Sequence, residues 1–282
     1  MMDFADLDAT ARTLAEIALA AGPAVMEEYA KAGVGRAKAD GSPVTAADER
    51  AEAIILERLD ALAPGVAVVA EEACAAGAAV VAPRRFFLVD PLDGTREFLA
   101  RNGEFTINIG LIEDGRPVAG AVYAPALGQI WFGGERAFTA EARLGRALSD
   151  ACAPLAVRHA SAKLAALASR SHSDAATEAF LTGLGVAERV SAGSSLKFCR
   201  VADGEADIYP RFGPTMEWDT AAADAVLRAA GGMTLGLDGK PMRYGKLDVG
   251  LRNAGFVAIG DAQLTSRVVN ALSALSDEPS RP

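Results

Sequence analysis

Leu7, Leu14, Ile17 and Met26 recur at helical spacing through an alanine-rich opening stretch, and Ile54, Ile55, Leu59 and Leu62 repeat the pattern. Two helices are predicted before residue 64. Between them the segment 33–43, rich in Gly and Lys, reads as a mobile loop. Apolar runs at 66–70 and 86–89 have the length of buried strands. Runs at 105–112 and 117–123 flank Glu113-Asp114-Gly115-Arg116 and predict a hairpin, with further strands at 129–132 and 136–142. The first half should therefore set helices against a largely antiparallel sheet.

From residue 164 the rhythm changes. Strand patterns at 164–169, 188–191, 206–209 and 256–259 alternate with helical patterns at 174–184, 196–202 and 220–230, which favours an α/β second half. The stretch 145–154 lacks strong periodicity. A boundary is expected near 143–160, with residues 1–155 forming an N-terminal α+β half and 156–282 a C-terminal α/β half.

The 282-residue chain is 51% hydrophobic, ample for a core of this size. Its net charge of -9, with no basic stripe, argues against a nucleic-acid partner, because phosphate contacts need clustered Lys and Arg. No apolar run approaches the roughly 18 residues of a membrane helix, so no integral membrane segment is expected. The opening residues are acidic where a secretory leader is basic. Cys74, Cys152 and Cys199 are odd in number and scattered, which suits reduced thiols in a cytoplasmic protein. The oligomeric state is left open by the sequence.

The chemistry concentrates at Asp90-Pro91-Leu92-Asp93-Gly94-Thr95, where two carboxylates three residues apart meet a glycine turn and a hydroxyl. Oxygen ligands this close repel one another unless a cation lies between them, so a divalent metal is the simplest neutraliser. Backbone N–H groups from Gly94 onward could face an anion at the start of a helix. Three other element ends also carry carboxylates. Asp48, in Thr45-Ala46-Ala47-Asp48, reads equally as the acid of a capping box. Glu71, with Glu72, reads as an exposed strand end, and Asp219 as the N-cap of the helix that follows. Together, and with two histidines in the whole chain, these carboxylates suit Mg²⁺ and disfavour a His-rich zinc site. Such ions could bridge a phosphoryl oxygen and lower the pKa of water.

Ser42-Pro43-Val44-Thr45-Ala46-Ala47-Asp48, Glu71-Glu72, Asp90 to Thr95 and Glu217-Trp218-Asp219-Thr220-Ala221-Ala222 occur in the order and spacing of the inositol monophosphatase superfamily, which the chain resembles over nearly its whole length. Longer matches are similar to the 3′(2′),5′-bisphosphate nucleotidase branch. They include Asp93 to Phe98, Arg101 to Thr106, Ser169 to His172, Gly193 to Cys199 and Tyr209 to Thr215. The resemblance implies a layered αβαβα sandwich and a lithium-sensitive, Mg²⁺-dependent phosphatase acting on a small phosphorylated nucleotide, with a role in sulfur metabolism. Two or three Mg²⁺ ions would be held by Glu71, Asp90, Asp93, Asp219 and the Leu92 carbonyl. Asp48 and Thr95 would activate water, with no covalent enzyme intermediate. The substrate would meet Glu71, Leu92, Asp93, Gly94, Thr95, His172, Ser194, Lys197, Arg211 and Asp219.

Within the resemblance, Arg211 stands where inositol phosphatases usually carry a hydroxyl-binding Glu, and a cation there suits a second phosphate. Arg96 replaces the Lys common in related nucleotidases and keeps the charge. His172 also reads as a helix cap, Lys197 as a solvated helix residue and Trp218 as core. Turnover of inositol monophosphate or histidinol phosphate is the alternative activity, and a non-catalytic, metal-dependent nucleotide-binding protein is the alternative class. The resemblance further admits a peripheral place on the cytoplasmic face of the membrane.

Overall fold

The computed structural model describes residues 4–31, 36–37, 43–168 and 175–277. Helix α1 (Leu7–Ala30) is capped by Asp6, whose side chain accepts from the Ala9 N–H, and buries Ala11, Leu14, Ala15, Ala18 and Val25 on one face. Strands β1 (Arg36–Ala37) and β2 (Pro43–Val44) pair antiparallel within the segment read as a loop; the rest of that segment lies outside the described residues. Helix α2 (Ala46–Leu62) packs on α1.

A seven-stranded sheet follows in chain order: β3 (Ala67–Ala70), β4 (Arg85–Asp93), β5 (Thr106–Glu113), β6 (Arg116–Ala124), β7 (Gln129–Gly133), β8 (Ala137–Glu141) and β9 (Ala153–Leu155). Apart from the parallel β3–β4 pair it is antiparallel. Two short helices interrupt it, α3 (Glu71–Ala75) after β3 and α4 (Thr95–Leu99) after β4. Glu71 and Glu72 thus open a helix instead of ending a strand; five residues are too few to show a helical period. Strand β4 also runs past Val89 to Asp93. Its register against β5 breaks between Asp90 and Asp93, because Pro91 has no N–H for the ladder.

The second sheet has the order β11 (Val186–Ser191), β10 (Leu164–Ala168), β12 (Ile208–Arg211), β16 (Phe256–Ile259), β14 (Met233–Gly236). Helices α5 (Ala175–Gly183) and α6 (Leu196–Ala202) connect its parallel strands, while β16 runs antiparallel to both neighbours. A small ladder joins β13 (Thr215–Met216) to β15 (Arg252–Asn253). Helix α7 (Ala221–Ala229) lies between the sheets, and α8 (Thr265–Asp277), absent from the sequence reading, closes the chain.

Three apolar clusters fill the four interfaces between five structural layers, the middle one lining both sides of the central helices. Leu14, Ile55 and Leu59 of the first two helices meet Phe87, Val89 and Ile109 of the first sheet. The opposite face of that sheet, with Phe86, Leu88 and Val122, packs against Phe198 of α6 and Val226 of α7, and Phe198 in turn stacks on Phe256 of the second sheet. Phe180 and Val268 cover the far side of the second sheet. The architecture is the expected αβαβα sandwich. Side chains alternate along β4, so Asp90 takes the next place on the middle face after Phe86 and Leu88. Among the described residues no helix is long and apolar enough to cross a membrane.

Helix α7 can reach the first sheet because Gly110 and Gly120 pair across β5 and β6 beneath it. A Cβ at Gly120 would fall 2.4 Å from the Ala222 carbonyl oxygen, and one at Gly110 2.9 Å from the Ala222 nitrogen. Gly120→Ala should therefore push α7 outward at a cost of about 2–3 kcal/mol. Thermal unfolding is expected to report a midpoint lower by roughly 4–12 °C. An unchanged midpoint would mean that the helix yields freely.

Candidate active site

The carboxylates singled out in the sequence stand at element ends within electrostatic reach of one another. Asp48 does close a capping box: its Oδ2 accepts from the Thr45 N–H at 2.8 Å and from Thr45 Oγ1 at 2.7 Å, while Thr45 Oγ1 accepts from the Ala47 N–H at 3.1 Å. That structural role does not exhaust it. Asp48 is 1% exposed, and burial, aided by Glu72 and Glu71 and opposed by the Thr45 bonds, pushes its pKa up to about 6. At pH 7 it is still ionised.

Glu71 begins α3, and its placement depends on Glu52, one helical turn after Asp48 on α2. The Glu52 carboxylate accepts from the Glu72 and Ala73 N–H groups, each at 2.8 Å, and so holds the first turn of α3. Asp90 Oδ1 accepts from the Leu92 N–H at 3.0 Å. Burial first, then Glu71, Asp93 and Asp219, raise the Asp90 carboxyl well above the usual range. Asp219 is pushed up to about 8 by burial and by Asp93 and Glu71, against the Met216 N–H bond at 2.9 Å and the Arg211 charge. It is not the cap of α7, whose N-cap position belongs to Thr220.

Asp93 ends β4, and its Oδ2 accepts from Ser194 Oγ at 2.5 Å and from the Ser195 N–H at 2.6 Å. Gly94 follows with φ of 91°, a left-handed turn open to glycine, and starts α4. The Thr95 hydroxyl donates to the Leu92 carbonyl at 3.4 Å. Glu217 fixes the far side: fully buried, it pairs with Lys246 at 2.7 Å and accepts from the Gly245 and Lys246 N–H groups, anchoring the backbone just before Asp219.

Among the described residues no three acidic, histidine or cysteine side chains are gathered into a ready metal cage. The donor set nonetheless fits a hard divalent cation. Asp90 and Asp219 are buried oxygen ligands whose raised pKa values arise from uncompensated burial and mutual repulsion, and a cation between them relieves both. Hydrogen bonds to one oxygen each of Asp90, Asp93 and Asp219 set their orientation.

A cavity of about 260 Å³ is lined by Asp93, Gly94, Ser194, Lys197, Arg211 and Asp219. Lys197 is not a solvated helix residue. It is 3% exposed, and its ammonium donates to the Ser194 carbonyl at 2.7 Å and the Ala192 carbonyl at 3.2 Å, over the Tyr209 ring. Arg211 donates from Nη2 to the Pro214 carbonyl at 3.3 Å, while its Nε is buried without an acceptor. Burial opposes its charge, but Tyr209, Asp219 and Asp93 outweigh that and raise its pKa. His172 lies outside the described residues. Trp218 is core, packed in the middle layer.

The sequence pattern of the inositol monophosphatase family matches residues 6–274, and the chain belongs to that family. It is 44% identical over 234 residues to the 3′(2′),5′-bisphosphate nucleotidase CysQ of Escherichia coli strain K12, covering 81% of this chain and 91% of that protein. Its counterpart of the same name in Buchnera aphidicola is 37% identical over 228 residues, covering 78% and 82%. The crystal structure of CysQ from Bacteroides thetaiotaomicron superposes with a TM-score of 0.74 at 36% identity, covering 89% of this chain and 97% of that one. Inositol monophosphatase from Anabaena shares the fold, with a TM-score of 0.73 at 23% identity over 95% and 96%. These likenesses agree with the branch that the longer sequence motifs resemble.

Proposed function

We propose that the protein is a Mg²⁺-dependent 3′(2′),5′-bisphosphate nucleotidase that hydrolyses adenosine 3′,5′-bisphosphate to AMP and phosphate. The observation that carries this reading is a cavity lined both by the carboxylates of Asp93 and Asp219 and by Arg211, whose Nε is buried without a partner. The carboxylates, with a cation between them, suit the phosphoryl group to be removed. Arg211, a cation with a vacant donor, suits the phosphate that stays on the product. Relatives at 44% identity that carry the nucleotidase name support it.

Glu71, Asp90, Asp93, Asp219 and the Leu92 carbonyl would hold two or three Mg²⁺ ions, which when bound supply charge for the phosphoryl oxygens and acidify water. The backbone N–H groups of Gly94 and Thr95 receive the phosphoryl oxygens. Asp48, ionised at pH 7, takes a proton from the attacking water with the Thr95 hydroxyl orienting it. The water oxygen bonds to phosphorus and the bond to the 3′ oxygen breaks; that oxygen takes a proton from solvent water to become the AMP hydroxyl, and Asp48 returns the proton it took to solvent. Ser194, Lys197 and His172 complete the nucleotide site, with Lys197 acting through the 192–195 loop whose carbonyls it binds.

Arg211→Ala is expected to raise the Michaelis constant for adenosine 3′,5′-bisphosphate about ten- to a hundredfold, the loss of a charge-assisted contact of roughly 1.5–3 kcal/mol. Hydrolysis of inositol monophosphate by the same variant should change little. A phosphate-release assay over both substrates and histidinol phosphate checks this. A wild-type preference for inositol monophosphate, or equal damage to all substrates, would overturn the nucleotidase reading.

A further inference from the structure

Behind the cavity wall lies a buried run of hydroxyls. Ser194 Oγ, the donor to Asp93 Oδ2, is 2.7 Å from Thr106 Oγ1, which is 2.8 Å from Ser195 Oγ. Ser195 Oγ is in turn 2.9 Å from Asn108 Oδ1. Thr106, Ser195 and Asn108 are 0%, 3% and 1% exposed, and Asn108 Nδ2 is buried with no acceptor.

Counting hydrogens decides the direction of this run. Asp93 Oδ2 accepts from the Ser195 N–H and from the Ser194 hydroxyl, so the Ser194 hydrogen is spent on Asp93. Ser194 must then accept from Thr106, and Thr106 from Ser195. Ser195 has no hydrogen left for Asn108. Their contact holds only if the Asn108 amide is turned over, so that Nδ2 donates to Ser195 Oγ. The two ends of an amide are told apart only by their partners, and the turn also removes an orphaned buried donor, the costlier kind of unpaired group.

We infer that Asn108, Ser195 and Thr106 form a one-way relay of hydrogen-bond donors ending on Asp93 Oδ2, and that they are positioning residues holding Asp93 and Ser194 in fixed register. Asn108 and Thr106 belong to β5, Asp93 ends β4, and Ser194 and Ser195 lead into α6. The relay therefore ties the first sheet to the second half at the cavity. Ser194 is held at φ of 52°, a left-handed conformation uncommon for serine that its two hydroxyl contacts stabilise. With Oδ2 engaged by Ser194 Oγ and the Ser195 N–H, Asp93 keeps Oδ1 as its oxygen for a cation. The roles of Asp93 and Ser194 rest on the nucleotidase reading above.

Thr106→Val keeps the shape and removes the hydroxyl, whereas Thr106→Ser removes a methyl and keeps the hydroxyl. Mg²⁺ titration followed by tryptophan fluorescence, together with kcat on adenosine 3′,5′-bisphosphate, should show about tenfold weaker Mg²⁺ binding and about tenfold lower kcat for the valine variant. The serine variant should stay within about twofold of wild type even where its melting temperature falls further. Losses that follow melting temperature in both variants, or no loss in either, would overturn the positioning role. Neutron diffraction from deuterated crystals reads the relay directly: deuterons on the Asn108 atom facing Ser195 support it, and a bare oxygen there overturns the polarity. Wild-type protein that binds Mg²⁺ yet releases no phosphate would remove the nucleotidase reading while leaving the Mg²⁺ comparison of the variants intact.

Discussion

Asp93→Asn is expected to lower phosphate release by about a thousandfold, because losing one ionised ligand from a metal site forfeits several kcal/mol of charge stabilisation in the transition state. The fold should survive. Asn still offers an oxygen to Ser194 Oγ and the Ser195 N–H, which anchor this side chain now. In metal-free protein the variant should even gain stability near pH 8, since Asp93 is one of the charges that push up both Asp90 and Asp219. Thermal unfolding in a chelator and phosphate release at saturating Mg²⁺ check the two halves of this expectation. Activity within tenfold of wild type would sink the assignment of Asp93 as a metal ligand.

Metal removal should make the protein sensitive to alkali. Asp48 titrates at about 6 and Asp219 at about 8 in the folded chain, against an ordinary carboxylate value of 3.8, and Asp90 is raised in the same direction. A carboxyl raised by folding binds its proton more tightly in the native state, so its stabilising contribution is complete below pH 3.8 and is lost as pH climbs through the folded value. The metal-free melting temperature is expected to fall between about pH 5 and 8.5, by roughly 5–10 °C for a few kcal/mol. Mg²⁺ favours the ionised carboxylates, so its stabilising effect should widen over the same range. Melting curves with chelator and with Mg²⁺ at pH 5.5 and 8.5 test this. A Mg²⁺ effect that is equal at both values, or greater at 5.5, would contradict it.

Much of the architecture was legible in sequence because long apolar runs and a tight turn leave few choices: the β5–β6 hairpin is one such case, and α1 and α2 with their apolar stripes are another. The acidic motifs could be placed at element ends for the same reason. Helix α3 has no sequence signal, since five residues show no period, whereas the start of the equally short α4 is marked by the turn at Gly94. Helix α8 carries a readable signal in Val268, Leu272 and Leu275, at spacings of a helical face. Glu52 was likewise within reach, four positions after Asp48 on one helix face. The partnership of Thr106 and Asn108 with Ser195 was not, because it joins elements 87 to 89 positions apart and depends on hydroxyl geometry. Nor could sequence tell that Lys197 turns its ammonium onto its own loop's carbonyls.

The shared middle layer bears on how the chain is made. The first sheet is complete once residue 155 has left the ribosome, but Phe86, Leu88, Val122 and Trp131 on its inner face are covered by α7 and its neighbours, which come from residues beyond 190. At roughly 5–20 residues per second the nascent sheet carries a bare apolar face for some seconds. That interval is when a chaperone has something to hold, and when two ribosomes on one message could bring unfinished sheets face to face.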